Sequence, residues 1–280
     1  MPSLIYGTRL GGQVSVANAL RKGYRAIDSG SIRTVHDEKK DGNDIQEALS
    51  NSIISRCDVL IQSKFSPWSM HKHSVPFNQD DDPQLQVLKS FSRSINDLQL
   101  DYLDVYYLHR PFQSMADTMV AWRMMEQLVH RGVVRNLGLS QVDYQCLVQV
   151  FDDAHVKPSV VQNRFTSHNA YDQKVIRFCA EHKISYQIFG LFREENRALL
   201  ELPIIKEFAD TEHVTPESAL ITLLLAAAGT QDLQLAILDG TRDETHMGGN
   251  LKADASKAKV ATPINSIVVH LWTSGFRVSE

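Results

Sequence analysis

Short apolar runs recur along the chain, separated by stretches in which apolar residues fall at helical spacing. Leu4 to Tyr6, Ala26 to Asp28, Val59 to Lys64, Val105 to Leu108, Val134 to Leu139, Val160 to Asn163, Ile184 to Phe189 and Leu233 to Leu238 read as β-strands. Their near-continuous apolar character is that of parallel strands covered on both faces. Between them, Leu85, Leu88, Phe91 and Ile95 form one helical face, and Ala121, Trp122, Met125, Leu128 and Val129 form another. Eight such alternations predict an α/β fold, a closed (β/α)8 or TIM barrel, with an open doubly wound sheet as the alternative architecture. No Pro/Gly/Ser-rich linker interrupts the pattern, so residues 1–280 are expected to form a single barrel domain.

Composition narrows the partners. Hydrophobic residues make up 43% of the 280 and charged residues 22%, the balance of a globular chain. Lys plus Arg number 29 against 33 Asp plus Glu, a net charge of -4, so no basic excess is available for nucleic acid. The longest apolar runs, such as Ala219 to Ala228, stop short of the roughly 18 residues of a membrane span, and no targeting pattern opens the chain. A cytoplasmic location is the expectation. Cys57, Cys146 and Cys179 are too few and too scattered for a disulfide framework or a zinc site, and read as free thiols.

In a parallel barrel, chemistry collects at the C-terminal ends of the strands. The second apolar run ends at Asp28, the third at Lys64 and the fourth at His109. A carboxylate, an ammonium and an imidazole on consecutive strands make a proton-handling set, in which Lys64 lowers the pKa of a neighbouring acid.

These strand ends sit in blocks that resemble the aldo-keto reductase family: Gly23-Tyr24-Arg25-Ala26-Ile27-Asp28, Ile61-Gln62-Ser63-Lys64-Phe65, Asp101-Tyr102-Leu103-Asp104 leading to Leu108-His109-Arg110-Pro111, Gly138-Leu139-Ser140, and Val160-Val161-Gln162-Asn163. The resemblance implies a (β/α)8 barrel that binds a nicotinamide cofactor without a Rossmann fingerprint. It begins at the first barrel strand, so the family's N-terminal hairpin is expected to be missing. Of the family's catalytic Asp, Tyr, Lys and His, the resemblance places three on Asp28, Lys64 and His109. An ungapped match of the loop from Ser29 to Gly42 puts His36 at the tyrosine position; a shift of one residue puts Val35 there. A phenol is absent on either register. A phenol has a pKa near 10 that a lysine can lower, which suits it to protonate an alkoxide. An imidazole near Lys64 is expected to be mostly neutral at pH 7, a base or hydrogen-bond donor more than an acid.

The same resemblance assigns Ser140, Gln141 and Gln162 to the nicotinamide carboxamide and Phe189 to stacking on the ring. Gly7 and Thr8 fall on the cofactor side of the first strand. The phosphate-gripping segment departs from the family: Asp239, Gly240 and Thr241 follow the eighth strand, His246 stands where an arginine is usual, and Asn250 keeps its place near the adenine. Asp239 is expected to repel a 2′-phosphate, with Arg242 or Lys252 in compensation. NADP(H) is the implied cofactor; NAD(H) or none are the alternatives. Trp68 and Phe77 are candidates to line a substrate pocket.

Three functions stay open at this stage: carbonyl reduction of a small molecule, a redox-neutral isomerase, dehydratase or cyclase using His36 as base, and a non-catalytic binding subunit. His71 and His73 lack ligand-spaced partners, so no metal is expected. Asp80 to Asp82 before Pro83 read as a helix start.

Overall fold

The computed structural model describes residues 1–9, 14–71, 75–241 and 243–256. Eight parallel strands alternate with helices in chain order: β1 (Leu4–Gly7), α1 (Val16–Lys22), β2 (Ala26–Asp28), α2 (Glu38–Ser50), β3 (Leu60–Phe65), α3 (Pro83–Leu98), β4 (Leu103–Leu108), α4 (Met115–His130), β5 (Val134–Ser140), α5 (Tyr144–Asp153), β6 (Val160–Arg164), α6 (Gln173–Glu181), β7 (Ser185–Phe189), α7 (Arg197–Leu200), α8 (Pro203–Glu212), α9 (Pro216–Thr230), β8 (Leu235–Asp239) and α10 (Glu244–Ser256). Each strand pairs with the next, and β8 closes on β1 through Leu4–Ile237 and Ile5–Leu238, giving a (β/α)8 barrel. Periodicity alone left an open sheet possible; the β1–β8 ladder settles it.

Strand alternation divides two cores. Tyr6, Ile27, Ile61, Phe65, Tyr106, Leu108, Leu139 and Val161 belong to the large cluster shared with the helices. Ile5, Ala26 and Ala236 form one small cluster and Val105, Tyr107 and Val160 another, both touched by Leu60, and these fill the barrel axis. The Tyr107 ring lies over Gly138, where a Cβ would overlap it.

Helix starts follow their capping signals. Asp82 accepts from Leu85 N at 2.8 Å ahead of Pro83, as its sequence predicts, and Ser15, Asp37, Ser114, Asp143 and Thr215 cap α1, α2, α4, α5 and α9. On α4 the buried face carries Ala121, Trp122, Met125 and Leu128 as the periodicity predicts. On α3 it does not: the buried side holds Gln86, Val87, Ser90, Phe91, Ser94 and Leu98, while Leu85, Leu88 and Ile95 are only half-buried. Of the polar residues on that side, Ser94 donates to Glu38 of α2 at 2.9 Å, and Gln86 is held by Trp68 N and the Asp81 carbonyl. No helix among the described residues is long and apolar enough to cross a membrane.

Candidate active site

The ladder runs one residue past several strand ends, which fixes the rim of the barrel. Thr8 N donates to the Asp28 carbonyl (3.0 Å), Ser29 N to Gln62 O (3.0 Å), His109 N to Phe65 O (2.9 Å) and Gln141 N to Gln162 O (3.2 Å). On this rim Lys64 Nζ donates to Asp28 Oδ1 at 2.5 Å and to the Ser29 carbonyl at 2.9 Å, with the two side chains 3% and 4% exposed. Asp28 Oδ1 also accepts from Gln62 Nε2 (2.6 Å) and Gln162 Nε2 (3.0 Å). Beneath, Gln187 Oε1 accepts from both amides, its own amide donates to Gln62 Oε1 at 3.1 Å, and the Tyr107 hydroxyl donates to the same oxygen at 3.2 Å. A buried ion pair survives only when its remaining hydrogen-bonding capacity is met, and here glutamine amides meet it.

His36 and His109 stand in the field of Lys64. Burial first, then the Lys64 charge, pushes His36 down to about 4, with Asp28 opposing. His109 is held well below the usual imidazole range by burial, Lys64 and His36 in that order. Both rings are therefore neutral at pH 7. His109 Nδ1 lies 2.7 Å from Ser66 Oγ, and the Ser66 carbonyl accepts from His71 Nε2 at 2.8 Å. His36 is 8% exposed, pairs with Arg9 across a single antiparallel bridge and turns Nδ1 toward Thr8 Oγ1 at 3.3 Å. Its other edge faces Gly30, where a Cβ would stand 3.1 Å from Cδ2 and 3.4 Å from Nε2. A shallow cavity of about 260 Å³ opens beside this edge, lined by Gly30, Arg33, His36, Asp37, Glu38, Lys39 and Asp97. Between the two loop registers, His36 is the buried residue and Val35 is half-buried.

The cofactor-side residues divide. Ser140 is fully buried, and its hydroxyl has no hydrogen-bond partner among the described residues. An orphan hydroxyl on the rim beside β6 fits the carboxamide group that the residue types imply. Gln162 directs its amide into the barrel at Asp28 and Gln187, while Gln141, at φ 51°, accepts from Arg110 at 2.7 Å and donates to the His109 carbonyl at 3.4 Å. Phe189 is half-buried with the Arg164 guanidinium 5.8 Å from its ring. Gly7 leaves its open side 3.9 Å from the Asp239 carbonyl.

After β8 the geometry differs from the sequence expectation. Asp239 is 2% exposed and turns inward: Oδ2 accepts from Tyr24 and from Asn250 Nδ2 (2.8 Å), and Oδ1 accepts from Thr241 N (3.0 Å). So placed, it serves as an internal anchor for the start of α10. Asn250 is engaged by Asp239 and Ser218, whereas Gly240 and His246 are exposed. Lys252 is exposed; Arg242 lies outside the described residues.

Beyond β3 on the same rim, Phe77 is 4% exposed within an aromatic cluster with Phe65 (6.1 Å), Trp68 (6.4 Å) and His71 (5.7 Å), so it packs the loop after β3; Trp68 is 36% exposed. His73 lies outside the described residues, and no group of three metal-ligating side chains occurs among the described ones.

Three site residues escape a reading by strand ends. Gln62 and Gln187 are signalled by polar residues inside apolar runs. Asp41, on α2, accepts from Thr8 Oγ1 at 2.6 Å and Ser29 Oγ at 2.7 Å. Its signal is a helical face, Glu38, Asp41, Ile45 and Ala48, whose first two positions are acids and whose members are all buried.

The family model for the aldo/keto reductase family matches residues 13–192. The chain belongs to the aldo/keto reductase family. It is 26% identical over 210 residues to the methylglyoxal reductase DkgA of Yersinia pestis, covering 75% of this chain and 68% of that one. To the uncharacterized oxidoreductase YtbE of Bacillus subtilis it is 30% identical over 198 residues, 70% of this chain and 64% of the relative. Among solved structures, aldose reductase of Giardia lamblia superposes with a TM-score of 0.76 at 22% identity, covering 99% of this chain and 94% of the other. An aldo-keto reductase in complex with NADPH superposes at 0.73 with 18% identity, covering 92% and 84%. Within this member of the family, then, Asp28, Lys64 and His109 share one rim with the His36 imidazole, and no phenol of the described residues joins them: Tyr107 faces the Gln62 amide deeper in the barrel.

Proposed function

We propose that this protein reduces the carbonyl of a small organic molecule with a nicotinamide cofactor, NADP(H), and that His36 delivers the proton. One observation carries the reading: His36, buried on the rim, lies with His109 in the field of the Lys64–Asp28 pair. Ser140, Gln141 and Phe189 would hold the nicotinamide end, with the orphan Ser140 hydroxyl as the group that fits it most directly. A dihydronicotinamide held there would supply the hydride that the carbonyl carbon takes up. The residues of this chain handle what is left, an oxyanion that needs a positive neighbour and a proton.

Lys64 supplies the positive potential, and Asp28 holds its ammonium at the rim. The neutral ring of His109, anchored through Ser66, orients the carbonyl as a hydrogen-bond donor. His36 then passes a ring proton to the oxygen. A neutral imidazole is a weak acid alone, which makes the source of its proton the critical feature of the site.

The test is NADPH oxidation with a panel of small aldehydes and ketones by the wild type, His36→Phe and His36→Tyr. Turnover by the wild type that falls at least about 100-fold in His36→Phe supports the reading. Turnover gained only by His36→Tyr would show that the native protein is no carbonyl reductase.

A further inference from the structure

The Thr8 hydroxyl bridges two groups that have no direct contact. It donates to Asp41 Oδ2 at 2.6 Å and stands 3.3 Å from His36 Nδ1. Ser29 Oγ donates to the same carboxyl oxygen at 2.7 Å and lies 3.3 Å from Thr8 Oγ1, closing a four-residue cluster in which every member is at most 8% exposed. Asp41 has no cationic partner within salt-bridge distance among the described residues, so its two hydroxyl donors are its principal support.

We propose that Asp41 is the proton reservoir of His36, acting through the Thr8 hydroxyl. The proposal rests on the reading of His36 as the proton-delivering group and adds the residue that makes a neutral imidazole competent.

A hydroxyl has one proton to donate, so the cluster has two consistent arrangements. With Asp41 ionised, Thr8 donates to the carboxylate and accepts from His36 Nδ1–H, which leaves Nε2 bare as a base. With Asp41 protonated, the carboxyl donates to Thr8 Oγ1, Thr8 donates to Nδ1, and the ring carries its proton on Nε2 as an acid. In the reducing direction the second arrangement turns into the first. The Nε2 proton goes to the substrate alkoxide, the Thr8 proton to Nδ1, and the Asp41 proton to Thr8 Oγ1. The alkoxide ends as an alcohol and the carboxyl as a carboxylate, while the ring stays neutral throughout.

The surroundings poise the carboxyl for this exchange. Burial pushes Asp41 up to about 7; the Thr8 and Ser29 hydroxyls and Lys40 pull it down, and Glu38 pushes it further up. Tyr6 of β1 is coupled to it as well: burial first, then the Asp41 charge, pushes the Tyr6 phenol up to about 12. Around His36 stand Lys64 of β3, Asp28 of β2, Arg9 beyond β1 and His109 beyond β4. Lys64 disfavours imidazolium, so His36 answers a proton on Asp41 by changing tautomer, not charge. Asp37, which caps α2, and Glu38 line the cavity beside His36 with Arg33, Lys39 and Asp97, but of the three acids only Asp41 is hydrogen-bonded to Thr8: Glu38 is engaged by Ser63 (2.5 Å) and Ser94.

The deciding measurement is the imidazole 15N spectrum of His36, assigned by its loss in His36→Phe, from about pH 5.5 to 8.5, in wild type, Thr8→Val, Thr8→Ser and Asp41→Asn. The wild-type ring is expected to stay neutral and to pass from Nε2–H to Nδ1–H with a midpoint near 7. Thr8→Ser keeps that passage, and Thr8→Val and Asp41→Asn each lose it. A single wild-type tautomer across the range, or an unchanged passage in Thr8→Val or, should that variant not fold, in Asp41→Asn, overturns the relay. Because the readout needs no turnover, a relay that behaves as expected in a protein without reductase activity separates this inference from the function proposed above.

Discussion

Lys64 Nζ and Asp28 Oδ1 lie 2.5 Å apart with both side chains sealed from solvent, so each is the principal charge compensation of the other. Removing one partner of a buried pair strands a charge, at about 3–5 kcal/mol, whereas removing both often costs far less. Lys64→Met and Asp28→Asn are expected to destabilise the fold by several kcal/mol each, and the double variant by less than their sum. Urea unfolding of the four proteins measures this; energies that add to within about 0.5 kcal/mol would mean the two groups are not coupled.

Ser140 offers a test of the cofactor side that reads stability and binding separately. Its hydroxyl is buried without a partner among the described residues, so Ser140→Ala should leave the free protein as stable as before or up to about 1 kcal/mol more stable. If the hydroxyl holds the nicotinamide carboxamide, the same change weakens NADPH binding by roughly 2- to 10-fold. Thermal unfolding and calorimetric titration of the two proteins give both quantities. A destabilised variant with wild-type affinity would assign the hydroxyl to the fold alone.

Asp41 and His36 tilt the pH dependence of stability in opposite senses. Asp41 is raised from 3.8 to about 7, so the folded chain holds that proton more tightly, and its contribution, full below pH 3.8, is lost as pH rises through 7. His36 is lowered from 6.5 to about 4, so its contribution is full above pH 6.5 and is lost as pH falls through 4. The windows overlap and the two slopes largely cancel. Relative to wild type, Asp41→Asn should therefore gain stability as pH rises across the window, and His36→Phe as pH falls, each by on the order of 3–4 kcal/mol. Urea midpoints at several pH values between about 4 and 7.5 check it; curves parallel to wild type would refute the opposed burial of these two groups.

The strands are legible because each is a short apolar run, and their ends are legible because Asp28, Lys64 and His109 interrupt that pattern where a barrel exposes its rim. Closure is not, since the β1–β8 ladder leaves no mark on local periodicity. The buried side of α3 is misread for a related reason. Ser90 and Ser94 belong inside because of what faces them from α2 and β4, and a hydrophobic pattern carries no information about a facing acid. Asp41 reads as one more charge on an amphipathic helix until the face it shares with Ile45 and Ala48 is traced backward. Gly42 explains why that face can press inward: a Cβ there would overlap the Asp97 carbonyl, so only glycine lets α2 approach the end of α3 so closely. At Asp239 the residue type suggests a surface electrostatic role, and its neighbours Tyr24 and Asn250, 215 and 11 positions away along the chain, reveal an internal one.

The three glutamines beneath Asp28 change how the barrel interior answers charge. Gln62, Gln162 and Gln187 each carry a donor and an acceptor on one planar amide; Gln62 and Gln162 donate to the carboxylate, and Gln187 links the two from below. Such groups respond by rotating a dipole, with no proton gained or lost. The floor of the barrel is thus a set of fixed polar groups, able to reorient their dipoles when charge appears or disappears above them.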